Sequence, residues 1–356
     1  MTAEETSPVL EVAHFNVDYG YGADAVRAVS DVSFTLGRSR VLGVAGESGS
    51  GKSTLVYGLT RLLRAPGVIT GGEVTLHLPE AAGGQPFDLL GASEQEIRKV
   101  RWSQISIVMQ SALNALNPLR KIGREFDEVL RVHDRSMSKA ERLERSKELL
   151  ALVDLTPDRL QRYPHELSGG QRQRVMIAMA LALRPELVIM DEPTTALDVV
   201  TQREIVSELH ALRAQLGFAM IFITHDLSLL VELADEIMVM YAGRIVERAP
   251  ALELYRTPRH PYTLGLMDSF PPLYGERREM TGIPGSPPNL KALPTGCAFH
   301  PRCPHAFDRC REEDPELTDL DGGGRSVACW LHTEAAAVPV PVELSRTMTT
   351  SEAANG

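Results

Sequence analysis

Two short stretches and one set of cysteines carry the side chains able to do chemistry. The first stretch, GESGSGKS at 46–53, has the spacing G-x-x-x-x-G-K-[ST]. Gly46, Gly49 and Gly51 let the backbone curl tightly. Its N–H groups and the start of the next helix then point at phosphate oxygens. The expected phosphate contacts are Gly46, Glu47, Ser48, Gly49, Ser50, Gly51, Lys52, Ser53 and Thr54. Lys52 brings a cation to the β- and γ-phosphates, and the Ser53 hydroxyl can ligate Mg²⁺. In the second stretch, LVIMDE at 187–192, an apolar strand ends in acid. Asp191 can hold an Mg²⁺ shell from within a sheet, and Glu192 can polarise a water. The third set is all four cysteines of the chain, Cys297, Cys303, Cys310 and Cys329, spaced C-x₅-C-x₆-C-x₁₈-C.

These groups need elements to position them. Alternating polar and apolar residues at 9–19 and 27–36 predict half-buried strands, and RVLGVAG at 40–46 a more buried one. A helix is expected from Lys52 to Leu63, a strand from Glu73 to Leu78, and a surface loop at 79–87. From about Ala92 to Leu183 the pattern is mostly helical, apart from a strand at 105–109. Ser138 is a helix N-cap candidate. ELVIMDE at 186–192 and FAMIFITHD at 218–226 read as central parallel strands, and 236–247 as a hairpin with Ala-Gly at its turn. Strands alternating with helices predict an α/β domain with a largely parallel sheet. Prolines cluster from 258 to 304, so a small loop-rich unit is expected at 258–334. A disordered tail is expected at 335–356.

Composition narrows the partners. A net charge of −10 argues against nucleic-acid binding through a general basic surface. The acidic start has no apolar h-region, and the most apolar run, at 175–183, is too short to span a bilayer. A soluble intracellular chain is expected, where disulfides are rare. Four thiolates converging from a loop-rich unit suit a [4Fe–4S] cluster or structural Zn²⁺. The gaps between the cysteines are wider than in zinc ribbons, and free thiols stay open as the third reading.

LSGGQRQRV at 167–175 lies between the phosphate loop and the acidic strand, with MDEPTTALD at 190–198 and FITHD at 222–226 beyond it. Together these closely resemble the ATPase subunits of ABC transporters over roughly residues 9–250. The resemblance implies a P-loop core with a RecA-like mixed sheet, an antiparallel β subdomain and a helical subdomain at about 110–184, all within 1–257. It implies that Leu167, Ser168, Gly169, Gly170 and Gln171 form a signature loop touching the γ-phosphate of an ATP held by a second subunit. Gln110 matches the Q-loop glutamine at the Mg²⁺ or attacking water, Glu192 the general base, and His225 the switch histidine. Asp198 matches the loop crossing to the partner, and Tyr19, with Tyr21 as fallback, the aromatic that stacks on adenine.

RHPYTLGLMDSFPP at 259–272, with HPYT at 260–263, and GCAFHPRC at 296–303 resemble the C-terminal extension of dipeptide and oligopeptide importer ATPases. That branch also includes nickel and oligosaccharide importers. Some members carry an iron–sulfur cluster in this tail, which favours [4Fe–4S] over Zn²⁺. The implied assembly is peripheral on the cytoplasmic face of the membrane. It joins a second, related ATPase subunit, two transmembrane permease subunits and an extracytoplasmic substrate-binding protein. Docking is expected beside Gln110, at about 110–125. The rivals are a soluble ABC ATPase acting on DNA or ribosomes, and a redox-responsive regulatory protein. The former carries a coiled-coil insertion or two cores, and this sequence has neither.

Overall fold

The computed structural model describes residues 7–110, 115–195, 197–269, 282–320, 322 and 324–333. Two sheets make its framework. The first is antiparallel, in the order β2-β1-β4-β5, from β1 (Pro8–Tyr19), β2 (Val26–Gly37), β4 (Gly67–His77) and β5 (Pro86–Asp88). The stretch expected as a loop at 79–87 supplies most of β5, which lies at the sheet edge against Thr75–His77. The second sheet has β3 (Val41–Ala45), β6 (Ile105–Val108), β7 (Leu187–Asp191), β8 (Ala219–Ile223), β9 (Glu236–Tyr241) and β10 (Arg244–Pro250), extended by β11 (Thr318–Asp319) and β12 (Ser326–Val327). Its order is β11-β12-β10-β9-β3-β8-β7-β6.

The strands from β9 to β6 run parallel, and β10, β12 and β11 add antiparallel neighbours. The β9–β10 turn falls at Ala242 and Gly243, both at positive φ, as a two-residue hairpin requires. β12 pairs with β10, so the C-terminal segment adds strands to the edge of the central sheet. Two-residue strands carry no hydrophobic period, which is why the sequence pattern read this region as loop.

The central strands are buried on both faces. Leu187, Ile189 and Ile221 face a core shared with the antiparallel sheet, and Val188, Met190 and Phe222 face the helices. Alternation along each strand thus feeds two cores from one sheet, as its continuous apolar runs predict. The helices are α1 (Lys52–Leu59), α2 (Glu94–Val100), α3 (Ile122–His133), α4 (Lys139–Leu152), α5 (Gly169–Ala180), α6 (Val199–Leu216), α7 (Leu227–Leu233), α8 (Ala251–Arg256), α9 (Pro261–Asp268) and α10 (Asp308–Glu312). Ser138 caps α4 in a reciprocal box with Glu141. Tyr262, Leu266 and Phe299 join the same core as the helices, so the C-terminal extension packs as part of it. Arg325 adds a buried tie, ion-paired with the fully buried Glu247 of β10 and donating to the Thr257 carbonyl. Among the described residues, no helix is long and apolar enough to cross a membrane. The expected tail at 335–356 and part of the expected docking stretch, 111–114, lie outside the described residues.

Candidate nucleotide site

β3 ends at Ala45, and the loop that follows turns into α1. Gly46, Gly49 and Gly51 all have positive φ, the conformations the loop needs and L side chains resist. Gly51 caps α1 at φ 104 and supplies no side-chain hydrogen bond. The first turn of α1 therefore keeps amides to offer an anion. Lys52 lies almost buried, its Nζ donating to the carbonyls of Gly46 (2.8 Å) and Glu47 (2.9 Å). Burial pulls its pKa down, while the carboxylates of Glu192, Asp191 and Glu47 pull it back up.

β7 delivers the acids beside this loop. Ser53 Oγ donates to Asp191 Oδ1 at 3.0 Å, so two of the three expected Mg²⁺ ligands meet from different elements. Asp191 is fully buried, and desolvation raises its pKa above the usual carboxylate range. The Tyr57 hydroxyl interacts with this carboxylate, yet Oδ2 is left without a closed hydrogen bond. An unpartnered carboxylate oxygen next to a serine hydroxyl is the donor set a hard divalent cation takes.

Glu192 leaves the strand at φ 47 and turns its carboxylate toward three other groups. Gln110 Nε2 donates to its Oε2 at 2.8 Å, Thr195 Oγ1 donates to the same atom at 3.1 Å, and His225 Nδ1 lies 3.9 Å away. Four loops that follow four parallel strands, β3, β6, β7 and β8, thus converge at one end of the sheet. In an open α/β sheet, ligands bind at the carboxyl ends of the strands.

The remaining expected residues lie on helix starts and on one strand end. Ser168 caps α5, its Oγ accepting from Gln171 N while Gln171 Oε1 accepts from Ser168 N, both at 3.2 Å. Gly169 and Gly170 form the first turn, where a Cβ on Gly170 would meet Thr201 at 2.8 Å. Asp198 caps α6, accepting from the amides of Val200 and Thr201 at 3.1 Å each. The Tyr19 hydroxyl lies 3.4 Å from Thr54 Oγ1, and Tyr21 is 72% exposed.

The cysteine set is brought together in part. Cys297, Cys303, Cys310 and Cys329 line one cavity with His260, His300, His305 and Trp330. Burial pushes the Cys303 thiol up to about 12 and raises Cys297 and Cys329 as well. Yet among the described residues no three His, Cys, Asp or Glu side chains are grouped so as to hold a metal ion. The donor chemistry suits a cluster, and the placement of the donors gives the [4Fe–4S] and Zn²⁺ expectations no support.

Motif reading missed three residues of the site. Thr195 and Tyr57 touch the two acids, and Arg302 reaches Glu47 from the C-terminal segment. Arg302 had no sequence signal, because its partner lies 255 residues away.

Fold and site together define an ATPase of the ABC type, and comparison with known proteins agrees. The ABC transporter family profile matches residues 29–195, and the profile of the oligopeptide/dipeptide transporter C-terminal region matches 246–310. The chain is 43% identical over 328 residues to the oligopeptide transport ATP-binding protein OppD of Salmonella typhimurium, covering 92% of this chain and 94% of that protein. It is 38% identical over 329 residues to the dipeptide transport ATP-binding protein DppD of Caldanaerobacter subterraneus subsp. tengcongensis, covering 92% and 98%. Among solved structures it resembles a dimeric post-hydrolysis state of the ATP-binding cassette MJ0796 bound to ADP and Pi. That match has a TM-score of 0.59 and 28% identity, over 68% of this chain and 98% of that one. The chain belongs to the family of ABC transporter ATP-binding subunits, in the branch that carries the oligopeptide/dipeptide C-terminal region.

Proposed function

We propose that this chain hydrolyses ATP on the cytoplasmic face of the membrane to drive uptake of di- or oligopeptides through partner permease subunits. The observation that carries the cargo assignment is the 43% identity to OppD along 92% of the chain, C-terminal region included.

In this reading the 46–53 loop, with Thr54, binds the β- and γ-phosphates, Lys52 pairs with them, and Tyr19 stacks on the adenine. Ser53, Asp191 and Gln110 hold Mg²⁺, which neutralises phosphate charge when bound. Glu192 is the general base, oriented by Gln110 and Thr195, and His225 adjoins the γ-phosphate. Ser168, Gly169, Gly170 and Gln171 act on the ATP of a second ATPase subunit, toward which Asp198 crosses. Support for a paired assembly comes from the dimeric state in which MJ0796 was solved. Two permease subunits and an extracytoplasmic substrate-binding protein complete the machine, docking beside Gln110. The segment 258–334 is the branch-specific extension, and its four cysteines ligate a [4Fe–4S] cluster that staples the fold. What speaks for the cluster is donor chemistry alone, four cysteine sulfurs on the walls of one cavity; among the described residues they do not stand as a metal-holding group.

The test is reconstitution of the chain with its permeases in vesicles. ATP turnover should rise on adding binding protein loaded with a di- or oligopeptide. Stimulation by a nickel- or oligosaccharide-loaded protein, with none by peptide, would overturn the cargo assignment. Iron and sulfide counts on anaerobically purified chain test the cluster: about four irons per chain are expected, and a count of one zinc or no metal rejects it.

A further inference from the structure

Glu47 puts a carboxylate into a loop that must receive a triphosphate. That is electrostatically adverse unless something cancels it. Arg302, from the cysteine-bearing segment, does so with a two-pronged grip. Its Nη1 donates to Glu47 Oε2 at 2.6 Å and its Nη2 to Oε1 at 2.9 Å. Such paired bonds are among the strongest a carboxylate makes, and their geometry is specific.

The guanidinium is itself held in place. Arg302 Nε donates to the Pro284 carbonyl at 2.8 Å, and the group lies 5.9 Å from the ring centres of both Tyr241 and Phe299. Its side chain is 6% exposed and that of Glu47 24%, so water screens the pair weakly. The ion pair pushes the Arg302 pKa up, so this cation does not titrate. A second residue of the extension holds the same loop residue, because the Glu47 backbone N–H donates to the Tyr262 hydroxyl at 2.7 Å. Lys52 senses Glu47 as well, and already donates to the Glu47 carbonyl.

We infer that Arg302 is a positioning residue for nucleotide binding: it neutralises Glu47 and pins the phosphate loop, so the C-terminal extension sets the affinity for ATP. The inference rests on reading 46–53 as the phosphate loop. Without Arg302, the freed carboxylate repels the triphosphate and competes for Lys52. No contact between Arg302 and the nucleotide is required.

The experiment uses the full-length chain, measuring MgATP binding with a fluorescent analogue and steady-state turnover. Arg302→Gln should raise Kd and KM for ATP about tenfold while kcat changes less than about threefold. Arg302→Lys, which keeps the charge and loses the fork, should fall between Arg302→Gln and wild type. Glu47→Gln combined with Arg302→Gln should recover affinity to within about threefold of wild type, because the repelling charge is gone. Wild-type KM in Arg302→Gln overturns the proposal. So does a double variant as weak as the single one, or a Lys variant as weak as the Gln variant, since either shows packing rather than charge. Lys52→Ala serves as the separate control: undiminished ATP binding there refutes the phosphate-loop reading and the inference with it, whereas weakened binding there together with wild-type KM in Arg302→Gln overturns the inference alone.

Discussion

The starts of α1 and α5 are both glycine-rich, and the motifs assign both to phosphate, yet they are built in opposite ways. α1 begins at a left-handed Gly51 that offers no side-chain cap, beside a buried lysine and two acids. α5 begins at Ser168, whose hydroxyl and Gln171 close a reciprocal box over the first turn. The first is a complete anion cradle within one chain. The second is self-satisfied, and any phosphate it meets must compete with its own capping hydrogen bonds. In the proposed function, one chain therefore offers an open anion cradle at α1 and a capped helix start at α5 for the nucleotide of a second subunit.

Variants at the two starts, and at the base beside the first, can break or sharpen this contrast. Glu192→Gln should have the largest effect, lowering turnover by about 10²–10⁴-fold while leaving ATP binding intact. Single-turnover hydrolysis and nucleotide titration read the two separately, and wild-type turnover would remove Glu192 from its role. Gly51→Ala comes next. Its Cβ would meet the Ala28 carbonyl at 2.5 Å, at a φ of +104. Strain of about 1–3 kcal/mol there should weaken ATP binding by about 5–150-fold, measured on the isolated chain.

Gly170→Ala should behave differently. Its Cβ would meet the Thr201 methyl, at 2.8 Å, on the side of α5 that faces α6. ATP binding to the isolated chain should stay as in wild type, and turnover of the assembled pair should fall about tenfold. Loss of ATP binding in that variant would erase the distinction between the two helix starts. On the isolated chain the smallest effect is expected for Ser168→Ala. Removal of the cap should cost about 1 kcal/mol of stability, seen as a lower denaturation midpoint with unchanged ATP affinity.

How legible the molecule was in its sequence depended on range. The loop at 46–53, the acidic end of β7, the Ser138 cap and the Ala242-Gly243 turn are local features, and the structure has each at its expected place. β5 and the short strands β11 and β12 were not legible, because strands this short have no period of their own, and β12 also finds its partner β10 far off in sequence. The cysteines were legible as a set, and the structure places all four around one cavity. Their spacing did not determine whether the thiols would stand close enough together to hold a metal, and the described residues form no such group.

By itself the sequence determined the class of chemistry, since backbone curvature, a cation and paired acids are properties of residue type and short spacing. It also determined the layered α/β order through its periodicities. Only the tertiary structure decided that Gln110 and Thr195 would share one oxygen of Glu192, and that Arg302 would reach across 255 residues to Glu47. Contacts of that kind depend on how the sheet brings four strand ends together and on where the C-terminal segment packs. No local pattern encodes either, because a side chain's partner across the fold is set by the packing of the whole core.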